Sequence, residues 1–228
     1  MMKVFWIALG SLVAAVMTGP APALGPVDLA AELPLYSKYV WRGMNNTNDW
    51  VLQPSLDVTV FGFTAGIWAN MDLTDVNKEE GEFREIDYKL EYGLGLALVE
   101  LGAGFYHYQY PDIPRYDTTE FYLFGTANVL LAPTLYIYKD VDKFKGVYWE
   151  ASISHGFQVG ESVDLDLTGG LGLGSQGFIS SYFSGQTSAP DTDFGTSLTD
   201  AYLKVELPYR PVPLLTITPS VAFTALMG

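Results

Sequence analysis

The chain has 228 residues, 49% hydrophobic and 14% aromatic, enough for one large domain or two small ones and too apolar for a disordered chain. It has no cysteine, which excludes disulfide frameworks, thiolate zinc sites and thiol nucleophiles, and a formal charge of −14 that repels a phosphate backbone and so excludes nucleic acid as a partner. Only 17% of residues are charged, against 23 Gly, 15 Tyr, 13 Phe and 5 Trp, a balance that suits a chain facing lipid.

Residues 1–23 have the pattern of an export leader. Lys3 supplies a charge, residues 4–17 are apolar apart from Gly10 and Ser11, and Ala21-Pro22-Ala23 offers small residues around a cleavage bond. A membrane anchor needs about 17–25 apolar residues, and Gly19, Pro20 and Pro22 end the run too early. The mature chain is expected to begin near Leu24 and to hold a single domain, residues 24–228. No later run has the length of a spanning helix, so any membrane crossing falls to strands.

From there the pattern has period two. Leu52, Pro54, Leu56, Val58 and Val60 alternate with Gln53, Ser55, Asp57 and Thr59, and after Phe61-Gly62 the alternation resumes through Phe63, Ala65, Ile67, Ala69 and Met71, which predicts a tight hairpin. The same count predicts strands over residues 29–42, 50–60, 63–72, 84–95, 99–110, 119–129, 134–140, 147–158, 163–174, 199–207 and 214–226. Longer connections (43–49, 73–83, 111–118, 141–146, 175–198) alternate with shorter ones, the rhythm of an antiparallel up-and-down transmembrane β-barrel.

A soluble sandwich also alternates, but here one parity stays oily in nearly every strand, as in Val163, Leu165, Leu167, Leu171 and Leu173 against Asp164, Asp166, Thr168, Gly170, Gly172 and Gly174. Trp41, Trp50, Phe105 and Trp149 lie on that parity near strand ends, where an interfacial girdle is expected. Eleven strands is an odd number, whereas single-chain bacterial barrels have an even one, so the reading expects twelve, with the last strand lacking. Pro54 and Pro219 cannot donate to a ladder, which predicts a bulge or a missing amide at each.

Tyr39-Val40-Trp41-Arg42-Gly43, then Gln53-Pro54-Ser55-Leu56-Asp57 and Gly62-Phe63-Thr64-Ala65-Gly66-Ile67-Trp68, resemble the opening of the TorF-type porin family of proteobacterial outer membranes. Glu85-Ile86-Asp87, Tyr92-Gly93 and Phe105-Tyr106-His107-Tyr108-Gln109-Tyr110-Pro111 look like its later segments, so the likeness runs over residues 36–111. This sequence departs in a shorter link between the second and third strands and in the absence of a closing strand. The resemblance implies an outer-membrane barrel and names no solute.

By parity the inward acids are Glu32, Asp57, Asp72, Glu85, Asp87, Glu91, Glu100, Glu120, Glu150, Asp164, Asp166, Asp200 and Glu206, and the inward bases Lys38, Arg42, Lys89 and Lys204. That surplus of acid would concentrate cations in a water-filled lumen, and Arg42 and Lys89 are expected to act as counter-charges among Asp57, Glu85, Asp87 and Glu91. The expected function is passive diffusion of small, preferentially cationic or neutral solutes through the outer membrane of a Gram-negative bacterium, among lipid and lipopolysaccharide, without a cofactor. A closed structural barrel is the alternative. A lipid-modifying enzyme is disfavoured: His107 has no serine among its expected outward neighbours, and His155 stands beside inward-pointing Ser152 and Ser154 near the periplasmic end. Asp72, Asp75, Glu79, Glu80 and Glu82 fit no calcium-loop spacing and read as a solvated loop. Gly170, Gly172 and Gly174 have no following helix to make a phosphate cradle and are expected to give room inside the barrel.

Overall fold

The computed structural model of the protein describes residues 4–21, 25–183 and 196–227. Its strands are β1 (Val4–Ala21), β2 (Gly25–Glu32), β3 (Leu35–Tyr36), β4 (Tyr39–Trp41), β5 (Met44–Thr47), β6 (Val51–Leu52), β7 (Ser55–Val60), β8 (Phe63–Asp72) and β9 (Phe83–Gly95). There follow β10 (Val99–Gln109), β11 (Thr118–Ala127), β12 (Thr134–Asp140), β13 (Val147–Gln158), β14 (Asp164–Ser175), the helix α1 (Gln176–Phe183), β15 (Thr196–Glu206), β16 (Tyr209–Val212) and β17 (Leu215–Leu226). The strand pairings are antiparallel and close on themselves: β17 pairs with β15 and with β1, β1 with β2, β2 with β7, β7 with β8, and from β8 each strand with the next as far as β15. The described residues thus form a ring of twelve positions: β1, β2 with β3, β7 with β6, the eight strands β8 to β15, and β17.

The fold is therefore all-β, antiparallel and up-and-down, as the alternation predicts. The Phe61-Gly62 turn has φ of +51° and +83°, both left-handed, and joins Val60 to its partner Phe63. The twelfth place is taken by β1, the segment read as a leader, which pairs with β17 from Val4↔Leu226 to Ala15↔Leu215 and with β2 from Ala14↔Glu32 to Ala21↔Gly25. An apolar run of this length suits an export leader and a lipid-facing strand equally, so the two readings compete for the same residues and processing decides between them. Of the expected cleavage region, residues 22–24 lie outside the described residues.

Burial is inverted relative to a water-soluble protein. Asp72, Thr118 and Thr199 are fully buried, and Asn70, Glu120, Asp140 and Asp200 nearly so, while Phe63 and Leu123 are 57% and 58% exposed, with Leu56, Leu90, Leu101, Phe121, Ile153, Leu171, Leu203 and Phe223 also bare on the same outer face. A sandwich would bury the second group and wet the first.

Two stretches depart from the predicted pattern. The run expected over residues 29–42 leaves the ring after Tyr36, and β4 and β5 pair only with each other. Trp41 is consequently not part of an outer girdle: its ring packs inside against Tyr108, Phe178 and Tyr182. Residues 208–213, read as a plain turn, contain β16, which pairs with the start of β17.

Neither proline makes a bulge. Ala69 N donates to Pro54 O at 3.0 Å, where β6 passes to β7 without a change of register against β8, and Leu207 N donates to Pro219 O at 3.0 Å just beyond the end of β15. Each missing amide thus falls at a break or an end, where the ladder loses least. The register shifts between the ring strands accommodate one extra residue each, Arg84 facing β8 and Thr199 facing β14.

Candidate functional site in the barrel interior

The β4–β5 hairpin leaves the ring between its second and third positions and crosses to the far wall. Its turn is Arg42-Gly43, with φ of +45° and +81°. At Gly43 a side chain has no room, since a Cβ would lie 2.7 Å from Cβ of Asp200. Arg42 holds a left-handed conformation that costs an L-residue about 1–2 kcal/mol, and its side chain shows what offsets the cost. Its two terminal nitrogens donate to the two carboxylate oxygens of Glu120 on β11, both at 2.8 Å. The guanidinium carbon also lies 4.3–4.4 Å from the ring centroids of Trp41, Tyr138 and Tyr148. The paired side chains are only 7% and 2% exposed. Burial opposes the charge on Arg42, but Glu120 outweighs it and holds the guanidinium above even the usual arginine range.

The other inward acids are held mainly by tyrosine hydroxyls. Tyr39 and Tyr110 donate to Glu85 at 2.9 and 3.3 Å, Tyr108 to Glu120 at 2.8 Å, Tyr122 to Glu91 at 2.6 Å, Tyr148 to Asp200 at 3.1 Å and Tyr202 to Glu150 at 2.7 Å. Ion pairs hold a further set: Lys89 meets Asp57 at 3.0 Å, Lys204 meets Glu206 at 2.8 Å and Arg210 meets Asp164 at 2.5 Å. Lys89 thus stands against Asp57 as expected, whereas Arg42 serves Glu120 rather than Glu85, Asp87 or Glu91, because it sits on a hairpin turn and not in a ring strand. Asp166 lines a recess at the short-loop end with Ser154, His155 and Glu206. Asp72, counted among the inward acids by parity as well as with the acidic loop, points inward to Thr47, Asn70 and Asn77, and among the described residues no acidic or histidine cluster could hold a metal ion. His107 Nδ1 lies 3.1 Å from Thr119 Oγ1 and its ring stacks on Tyr88, its register partner on β9.

Two cavities flank the hairpin. One, of about 520 Å³, is lined by Asp57, Trp68, Asp87, Lys89, Tyr106, Tyr108, Glu150, Tyr202 and Lys204, and the other, of about 400 Å³ toward the long loops, by Asn70, Arg84, Glu85, Tyr110, Tyr116, Phe144 and Tyr182. Tyr39 and Trp41 line both, so the hairpin is the partition between them.

Several features escape the sequence reading. Inward rings on β10 to β12 form a continuous wall, with centroids 5.1 Å apart for Tyr106 and Tyr122, 5.6 Å for Tyr122 and Tyr138, and 5.2 Å for Phe124 and Tyr136. Their shared even parity was the available signal. Asp140, also on that parity, accepts from Thr118 and from the backbone amides of Asp142 and Phe144, fixing the loop after β12. Helix α1 buries Phe178 against Tyr148 and Trp41. The glycines of β14 do make room: a Cβ on Gly170 would lie 2.5 Å from the Tyr202 ring, and Gly172 and Gly174 similarly face Asp200 and Phe178.

A family profile described as "Bacterial protein of unknown function (Gcw_chp)" matches residues 20–180, which include the whole stretch resembling TorF-type porins. No curated protein matches the sequence. Among solved structures, OccK9 (OpdG) of Pseudomonas aeruginosa is similar with TM-score 0.37 and 11% identity over 92% of this chain and 64% of that one, so this chain spans less than two-thirds of its length. OccK5 (OpdH) of the same organism gives TM-score 0.34 and 11% identity over 92% and 73%, and Salmonella typhi OmpF in complex with daunomycin gives 0.34 and 7% over 99% and 97%.

Proposed function

Given that the chain belongs to the Gcw_chp family, we propose that it is an outer-membrane barrel for passive diffusion of small solutes, preferring cations, with the β4–β5 hairpin as its constriction. The observation that carries this reading is the inverted burial: carboxylates and tyrosine hydroxyls enclosed by the ring, leucine and phenylalanine outside it. Such a molecule is stable where acyl chains cover the outer face and water reaches the inner one. In this reading the short-loop end is periplasmic, the long loops meet lipopolysaccharide, and residues 1–23 direct export. The resemblance of residues 36–111 to TorF-type porins points the same way.

In this proposal cation preference follows from the interior charge balance, in which Arg42, Lys89 and Lys204 are each held by a carboxylate while further acids are met only by tyrosine hydroxyls, which bring no compensating charge. Asp57, Glu85, Asp87, Glu91, Glu120, Glu150, Asp164, Asp166 and Glu206 set the field in this proposal.

A non-conducting structural barrel is the second reading, and the Arg42–Glu120 clamp favours it, because a hairpin fastened across the interior obstructs passage. Planar-bilayer recording of the full-length protein tests both. Conductance with a cation-selective reversal potential in a salt gradient is expected, and folded protein that inserts without conducting refutes the porin reading.

A further inference from the structure

We infer that the cavity beside the hairpin is a binding site for a small organic amine in its protonated form, anchored by Asp87. This rests on the proposal that solutes reach the lumen. Asp87 is 9% exposed and lines the cavity, yet among the described residues its Oδ1 has no hydrogen-bond partner. A buried carboxylate oxygen without a donor is costly, so a bound molecule that supplies one gains there. The neighbouring cations are committed elsewhere: Arg42 to both oxygens of Glu120, Lys89 to Asp57, Lys204 to Glu206.

What surrounds Asp87 selects the kind of donor. It pairs in register with Trp68 on β8 and with Tyr108 on β10, and Tyr106, stacked on Tyr108 at 5.8 Å, lines the same cavity. Aromatic faces around one carboxylate suit an ammonium group, which takes a charge-assisted hydrogen bond from its N–H and rests its charge over the rings. A calcium ion takes six to eight oxygen ligands in one shell, whereas among the described residues no group of three or more acidic or histidine side chains is placed to hold a metal ion, and a quaternary ammonium has no N–H for Asp87. The volume of about 520 Å³ accommodates an organic molecule rather than a bare ion.

Calorimetric titration of the detergent-solubilised full-length protein with benzylammonium chloride tests this. Saturable binding is expected, with benzyl alcohol and benzyltrimethylammonium at least tenfold weaker, and Asp87→Asn, checked for folded migration on a gel, at least tenfold weaker for benzylammonium. Equal binding of benzyl alcohol, undiminished binding by folded Asp87→Asn, or no saturable binding to the wild type overturns the inference. The comparison of the three probes on the wild type stands even where the variant does not fold. Bilayer recording separates the two proposals: binding without conductance keeps the amine site and removes the porin, and conductance without binding does the reverse.

Discussion

Replacing Arg42 by glycine should release the hairpin from the far wall. In the docked state the substitution leaves Glu120 buried, with Tyr108 as its remaining side-chain donor at 2.8 Å. Breaking a buried ion pair from one side costs about 3–5 kcal/mol. Glycine recovers about 1 kcal/mol, because the turn at φ +45° no longer strains a residue with a Cβ. The docked hairpin therefore loses about 2–4 kcal/mol against the released one, a shift of about 30-fold to several-hundredfold in their ratio at 1.4 kcal/mol per tenfold. Adding Glu120→Gln removes the stranded charge and should restore part of the docking, so the pair forms a cycle in which the double variant is less perturbed than the sum of the singles. Single-channel recording should show larger or more frequent openings for Arg42→Gly than for the wild type, with the double variant between them. Folded Arg42→Gly with wild-type conductance and gating would show that the clamp does not set the constriction.

Three further outcomes are expected. Asp164→Asn together with Asp166→Asn should lower cation preference, since it removes two lumenal charges and frees Arg210 from its 2.5 Å partner; an unchanged reversal potential rules out a role for that end of the lumen. Gly170→Val should displace the Tyr202 ring, costing about 1–3 kcal/mol by overpacking and lowering the midpoint of urea unfolding in micelles; an unchanged midpoint means the ring has space the structure does not show. N-terminal sequencing of protein from the outer-membrane fraction should begin near Leu24, and a chain still starting at Met1 leaves Val4–Ala21 as the closing strand in place of the leader reading.

Strand alternation was legible because a side chain in a barrel wall has two destinations, the outer face or the interior, and each neighbouring strand repeats the choice. Residues 63–72, 134–140 and 147–158 accordingly match the observed strands β8, β12 and β13 at both ends. The hairpin was not legible, since Lys38, Val40 and Arg42 continue the alternation of residues 29–36 and a parity count cannot register that the chain has turned off the wall. The sign of turning lay in Arg42-Gly43, where both residues must be left-handed, and in Pro34 just before. Inward charges were found by parity, and Lys89 was placed beside Asp57, but the partner of Arg42 was not found: Arg42 and Glu120 are 78 residues apart, and no local spacing predicts that they meet. Helix α1 stayed hidden because Gly177, Ser180 and Ser181 give it little apolar periodicity, its anchor being the single ring of Phe178.

That separation also orders events during assembly. The hairpin is made by residues near the front of the chain, but the carboxylate and rings that receive it belong to β11, β12 and β13, which must be in place before the guanidinium has anywhere to go. Docking of the hairpin therefore waits on residues that lie 78 or more positions further along the chain.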